Sequence, residues 1–287
     1  MESNLKRAQK GAYLSLITYI ILSIAKFTAG VQFNSAALRA DAFNNMTDIL
    51  VSIAVLVGLK ISLKPADKNH PYGHMKSENI STLLVSFIIM FVGLQVIMDN
   101  FPKLTEGDYT TPNPLTLWIS FISGFIMLMV YFYNNSLAKK TKSSSLKSAA
   151  VDNLSDGLVS FGTGFGLIFT QIGFPIADPI LAVILGLLIV YTGFKICREA
   201  IFTLSDGFHE KDLEFYVNDV MRVDGVKGVS SVKGRYHGDS VFLDVTIFVD
   251  KTITLDEAHD ICDQVEKSLS EEGVYSSYVH PEPYEED

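Results

Sequence analysis

At 287 residues, 48% hydrophobic and only 19% charged, the chain is too apolar and too sparsely charged for an ordinary soluble protein of its length. The net charge is -9, and nucleic acid is not an expected partner. Long apolar runs fill residues 1–204, whereas residues 205–287 read as a soluble, acidic domain ending in Glu282, Glu285, Glu286 and Asp287.

Six runs reach the roughly 20 residues that a bilayer requires, near 12–33, 38–62, 79–100, 114–136, 147–172 and 177–201. The first is too long for a signal-peptide core and lacks a small-residue cleavage site, so it should remain as a span. Basic residues then fix the orientation. Lys6, Arg7 and Lys10 precede the first span, Lys64, Lys68 and Lys76 follow the second, Lys139, Lys140 and Lys142 follow the fourth, and Lys195 and Arg198 end the sixth. The other loops are poor in them: Arg39 in one, Lys103 beside Asp99, Glu106 and Asp108 in the next, and none around Asp178. The positive-inside rule therefore puts both termini in the cytoplasm. Cys197 and Cys262 then lie in a reducing setting, where neither a disulfide nor a CxxC metal motif is indicated.

Within the second and fifth spans a polar pair recurs at a spacing of four: Asn44 and Asp48 in NNMTDILVS, Asp152 and Asp156 in DNLSDGLVS. Residues i and i+4 share a helix face, so each pair offers two oxygen ligands about a turn apart at membrane depth. Three buried Asp would cost on the order of 8 to 10 kcal/mol without a partner, a cost that a bound divalent cation offsets. The pairs read as a four-oxygen metal site. Polar residues in membranes also simply join helices, a role that suits Asn45, Thr47, Asn153 and Ser155. Lys26, mid-span in the first run, is open to pairing with an Asp, to a structural ion pair or to gating.

The loop PADKNHPYGHMKSE offers Asp67, His70 and His74, with Glu78 at the start of the third span. An Asp-His-His cluster is chemically able to hold zinc or manganese, though Pro71 and Gly73 equally mark an ordinary solvated turn. In the tail, a helix is expected over 209–223, strands over 228–236 and 241–250, a helix over 255–272 and a strand over 274–280. Alternation in VFLDVTIFV sets Phe242, Asp244 and Thr246 on one face against Leu243, Val245 and Ile247 on the other. The order αββαβ gives a small ferredoxin-like α+β layer pair with one sheet face free for a partner, most naturally a second copy.

Six spans, SAALRADAFNNMTDILVS on the second, PADKNHPYGHMKSE after it, AAVDNLSDGLVS on the fifth and an αββαβ tail together resemble the cation diffusion facilitator family over nearly the whole chain. The resemblance implies a homodimeric cell-membrane exporter of divalent metal, driven by proton uptake, with no resident cofactor and no enzymatic activity. Zinc-specific members carry Asp or His at the position of Asn44, Asp at Asp48, His at Asp152 and Asp at Asp156. This chain has Asn and three Asp, an all-oxygen set similar to the manganese-exporting branch, and oxygen ligands suit manganese where imidazole favours zinc. Manganese is the expected cargo, with iron(II) or zinc as alternatives. The resemblance further implies a second cytoplasm-facing site at Asp67, His70 and His74, and a site between paired tails using His259, His280 and Glu282. At that last site Ser230 and Thr246 stand where His is usual, and His237 is a spare candidate. A membrane-embedded lipid-headgroup transferase also uses closely spaced Asp and metal, but no DxxDGxxAR-type run is present. A passive channel calls for a pore-lining ring or filter loop, and none is recognisable.

Overall fold

The computed structural model describes residues 2–107, 109–141 and 143–285, apart from the side chains of 2–9 and 144–145. Asp108, Lys142, Glu286 and Asp287, which enter the charge reading above, lie outside the described residues, as do the side chains of Lys6 and Arg7. Six long helices come first: α1 (Glu2–Gln32), α2 (Ala36–Ser62), α3 (Ser77–Glu106), α4 (Leu115–Thr141), α5 (Ser144–Gln171) and α6 (Ala177–Leu204). There follow α7 (Glu210–Val220), β1 (Gly228–His237), β2 (Ser240–Val249), α8 (Leu255–Glu271) and β3 (Ser276–Pro283), the expected αββαβ order.

Five helices among the described residues are long and apolar enough to cross a membrane: Lys10–Gln32, Ala36–Ser62, Ser77–Glu106, Leu115–Thr141 and Ala177–Leu204. The chain is a multi-pass membrane protein. The expected fifth span, α5, is long enough at 28 residues but is diluted by Lys147, Asp152, Asp156 and a run of Ser, Thr and Gly. It is sheltered in part. α5 packs along α4 and also against α1, and Asn153, Asp156, Ser160 and Thr163 are buried, whereas Lys147 and Asp152 are exposed. Glycines permit the close approach: a Cβ on Gly124 of α4 would lie 3.1 Å from the Gly157 carbonyl of α5.

Two compact units are distinguished, Met1–Ile53 with Val85–Lys195, and Ala54–Leu84 with Ile196–Asp287. In the first, Asp178 at the start of α6 accepts from Ser35 Oγ (2.7 Å) and from the backbone N–H groups of Ala36 (2.6 Å) and Ala37 (3.0 Å), capping α2 from another helix. Buried contacts among Ala36, Ala40, Val96, Ala182 and Leu185 continue that seam. In the second unit, β1 runs antiparallel and β3 parallel to the central β2, in the order β1-β2-β3, with an irregularity between Val229 and Ser231. Leu243, Val245 and Ile247 of β2 are fully buried against Val265 and Leu269 of α8 and Val220 of α7, as the alternation required. Phe242, on the opposite face, is buried too, its ring 4.5 Å from that of His237 in a tilted contact and 5.3 Å from that of Tyr275. α8 begins with a capping box in which Thr254 and Glu257 satisfy each other's backbone N–H groups.

Candidate metal centre

Asn44 and Asp48 of α2 and Asp156 of α5 meet inside the first unit. Asn44 Nδ2 donates to Asp156 Oδ1 at 2.9 Å, and the Tyr19 hydroxyl of α1 donates to Asp156 Oδ2 at 2.7 Å. Asn44 and Asp156 are 8% and 7% exposed. Asp48 is half-buried, its Oδ2 atom is buried without a hydrogen-bond partner, and it lies within electrostatic range of Asp156 and Asp152. A buried carboxylate oxygen without a partner, beside like charge, is an arrangement that a cation would stabilise. Asp152 is exposed one turn along α5 from Asp156, in the field of Lys195.

A chain of hydrogen bonds fixes Asp156 from behind. Tyr19 accepts from Asn153 Nδ2 at 3.0 Å, Asn153 Oδ1 accepts from Ser15 Oγ at 2.9 Å, and Asn134 Nδ2 of α4 donates to both Ser15 Oγ (2.8 Å) and Asn153 Oδ1 (3.1 Å). Ser15, Tyr19, Asn134 and Asn153 were not among the expected ligands. The available signal is the spacing: Ser15, Tyr19 and Ser23 recur every four residues on α1, as do Asp152, Asp156 and Ser160 on α5. Of the residues expected to join helices, Asn45 and Asn153 do so. Thr47 and Ser155 instead bond the carbonyls of Asn44 and Val151 in their own helices. Lys26 pairs with Asp41, at 3.0 Å, and not with any Asp of the expected quartet.

In the second unit Asp67, His70 and His74 do come together, with one ligand atom from each lying within 4.8 Å of the others. It is the one such group of three found among the described residues. Asp67 Oδ1 accepts from the backbone N–H of both Asn69 and His70 at 2.8 Å, and these two bonds, His70's first, hold its carboxyl below the usual carboxylate range. His70 Nδ1 lies 3.2 Å from Asp67 Oδ1, and His74 Nε2 lies 3.6 Å from Asp67 Oδ2. The His74 Nδ1 atom is buried and unpartnered. Gly73, at φ +80°, supplies the left-handed turn that closes the loop.

His259 and His280 line one groove of about 510 Å³ with Asp256, Asp263 and Glu266. Glu282 lines a different hollow with Phe248 and Tyr284, so a single chain does not gather all three tail candidates. Thr246 sits opposite His280 in the sheet and accepts from Ser231 Oγ at 3.3 Å. His237, buried against Phe242, is occupied in packing.

Comparison with known proteins agrees with both halves of the molecule. A family model described as "Cation efflux transmembrane domain" matches residues 12–205, and one described as "Cation efflux protein, cytoplasmic domain" matches residues 209–284. The chain is 43% identical over 281 residues to the uncharacterized transporter YdbO of Bacillus subtilis, covering 98% of this chain and 97% of that one. It is 41% identical over 283 residues to the manganese efflux system protein MneS of the same organism, covering 98% of each. To the manganese efflux system protein MneP, also of Bacillus subtilis, it is 28% identical over 290 residues, covering 98% of this chain and 97% of that one.

Proposed function

The chain belongs to the cation efflux family, and from that premise we propose that it carries manganese out of the cytoplasm in exchange for protons. The observation that carries the choice of metal is the ligand set: Asn44, Asp48, Asp152 and Asp156 offer oxygen alone, with no imidazole. Similarity to two manganese efflux proteins supports the same choice. Iron(II) and zinc are the competing cargoes.

Metal enters past exposed Asp152 and is held by Asp48 and Asp156, with Asn44 beside them. The membrane helices then rock to present the site to the other side. Metal and protons compete for the same carboxylate oxygens, so acid outside displaces the metal, and protons return with the empty carrier. No separate proton site is required. In this reading both termini are cytoplasmic, the protein sits in the cell membrane, and the tail domain pairs with that of a second copy. Asp67, His70 and His74 take a further metal on the cytoplasmic side. His259, His280 and Glu282 serve a site between tails only if paired chains bring Glu282 to the histidines.

Export from proteoliposomes tests the reading. Manganese, iron(II), zinc and cobalt are measured side by side, with and without a pH gradient. Asp48→Ala and Asp156→Ala should each abolish manganese export while the chain remains folded, and normal transport by both removes the mechanism. Asn44→His should move preference toward zinc, and an unchanged order of metals refutes the role given to Asn44.

A further inference from the structure

One helical turn from the quartet, the same helices carry a second polar layer. Asp41 lies three residues before Asn44 on α2, and Ser160 lies four residues after Asp156 on α5, on the side away from exposed Asp152. Into this layer α1 sends Lys26. Its ammonium is surrounded by three oxygens: Asn45 Oδ1 at 2.6 Å, Ser160 Oγ at 2.7 Å and Asp41 Oδ1 at 3.0 Å. All four residues are 0% exposed.

Two features separate this layer from an ordinary structural ion pair. Asp41 Oδ2 and Asn45 Nδ2 are buried with no hydrogen-bond partner, although buried pairs are stable only when their remaining polar atoms are satisfied. The surroundings of the ammonium are also those of a cation site: one carboxylate, one amide carbonyl and one hydroxyl converge on a single positive centre, with a fourth oxygen free.

We propose that Asp41, Asn45 and Ser160 form a second cation site in the membrane domain, and that Lys26 fills it as a tethered cation, closing that end of the pathway to the metal. The proposal rests on the transport reading above. While the ammonium is in place, a divalent ion a turn away meets a like charge across a water-poor layer and turns back. Passage requires Lys26 to leave the cage, and the bare oxygen of Asp41 then receives the metal. Lys26 thus sets direction without touching the first site.

The test counts bound manganese on the purified full chain and follows its leak through vesicles. In an Asp156→Ala background, which disables the first site, adding Lys26→Met should raise binding by about one Mn2+ per chain, because the emptied cage keeps its carboxylate. Adding Asp41→Asn to that chain should return binding to the background level. Ser160→Ala keeps the ion pair and removes one oxygen from the cage, so it guards against loss of folding in the lysine variant. Passive manganese entry into proteoliposomes without a pH gradient should rise several-fold with Lys26→Met and to a smaller extent with Ser160→Ala, which loosens the ammonium without removing it. If Asp156→Ala loses metal but Lys26→Met adds none to it, and neither cage variant leaks faster, the tethered cation is overturned and the transport reading stands. If Asp156→Ala binds as much metal as the unaltered chain, the transport reading itself fails.

Discussion

Both oxygens of Asp156 accept hydrogen bonds, from Tyr19 on one side and Asn44 on the other. A hydrogen bond to a charged acceptor contributes about 1.5–3 kcal/mol, so Tyr19→Phe should weaken manganese binding by roughly tenfold or more. Initial export rates across a manganese series should show a raised KM with the maximal rate largely kept. A lost maximal rate at unchanged KM would instead assign Tyr19 to a later step. The three Asp were legible in the sequence because a carboxylate in an apolar run stands out at any spacing. Tyr19 was not, since tyrosine is at home in such a run, and its partner lies 137 residues away. Asp41 was equally visible as an isolated letter, yet nothing along the chain distinguished it from the quartet or paired it with Lys26. Contacts between helices decide that.

At the scale of elements, α5 shows what hydropathy alone misses. It alone of the six falls short of the apolar spans among the described residues, and its buried polar residues lie where it packs against α4 and α1. Asp178 has the complementary task of capping α2 from α6. Asp178→Ala strands the N–H groups of Ala36 and Ala37 and the Ser35 hydroxyl, at a cost of about 1–3 kcal/mol per buried group. Thermal unfolding in detergent should show a lowered midpoint, whereas an unchanged midpoint would mean water replaces the cap. In the tail, the strands and helices were readable from alternation and from the Thr254–Glu257 box, while the burial of Phe242 on the supposedly open face was not. His237 packs there, and burial, then Lys76 and Arg235, hold its imidazole below the ordinary 6.5, against the opposing charge of Asp206. The folded domain favours the neutral ring. Its contribution to stability is therefore present above about 6.5 and is lost as pH falls through the lower folded value. His237→Gln should flatten that part of the pH–stability curve in urea unfolding, and an identical curve would show that other groups govern it.

For the whole molecule, the loop and the membrane site make separable demands. Changing His70 and His74 to Ala together should slow export at scarce manganese and leave the rate at saturating manganese near normal, as initial rates would record. Equal losses at both concentrations would place the loop in the transport step itself. In the proposed exchange the carrier returns with protons on its carboxylates, and the link between α2 and α5 on that leg is the Asn44–Asp156 hydrogen bond. Asn44 has two unlike faces for two halves of the journey. Its amide nitrogen joins the two helices across Asp156, and in the proposed cycle a turned-over side chain would offer its carbonyl to the cargo. An ionised aspartate at that position would have no donor with which to join α2 to α5.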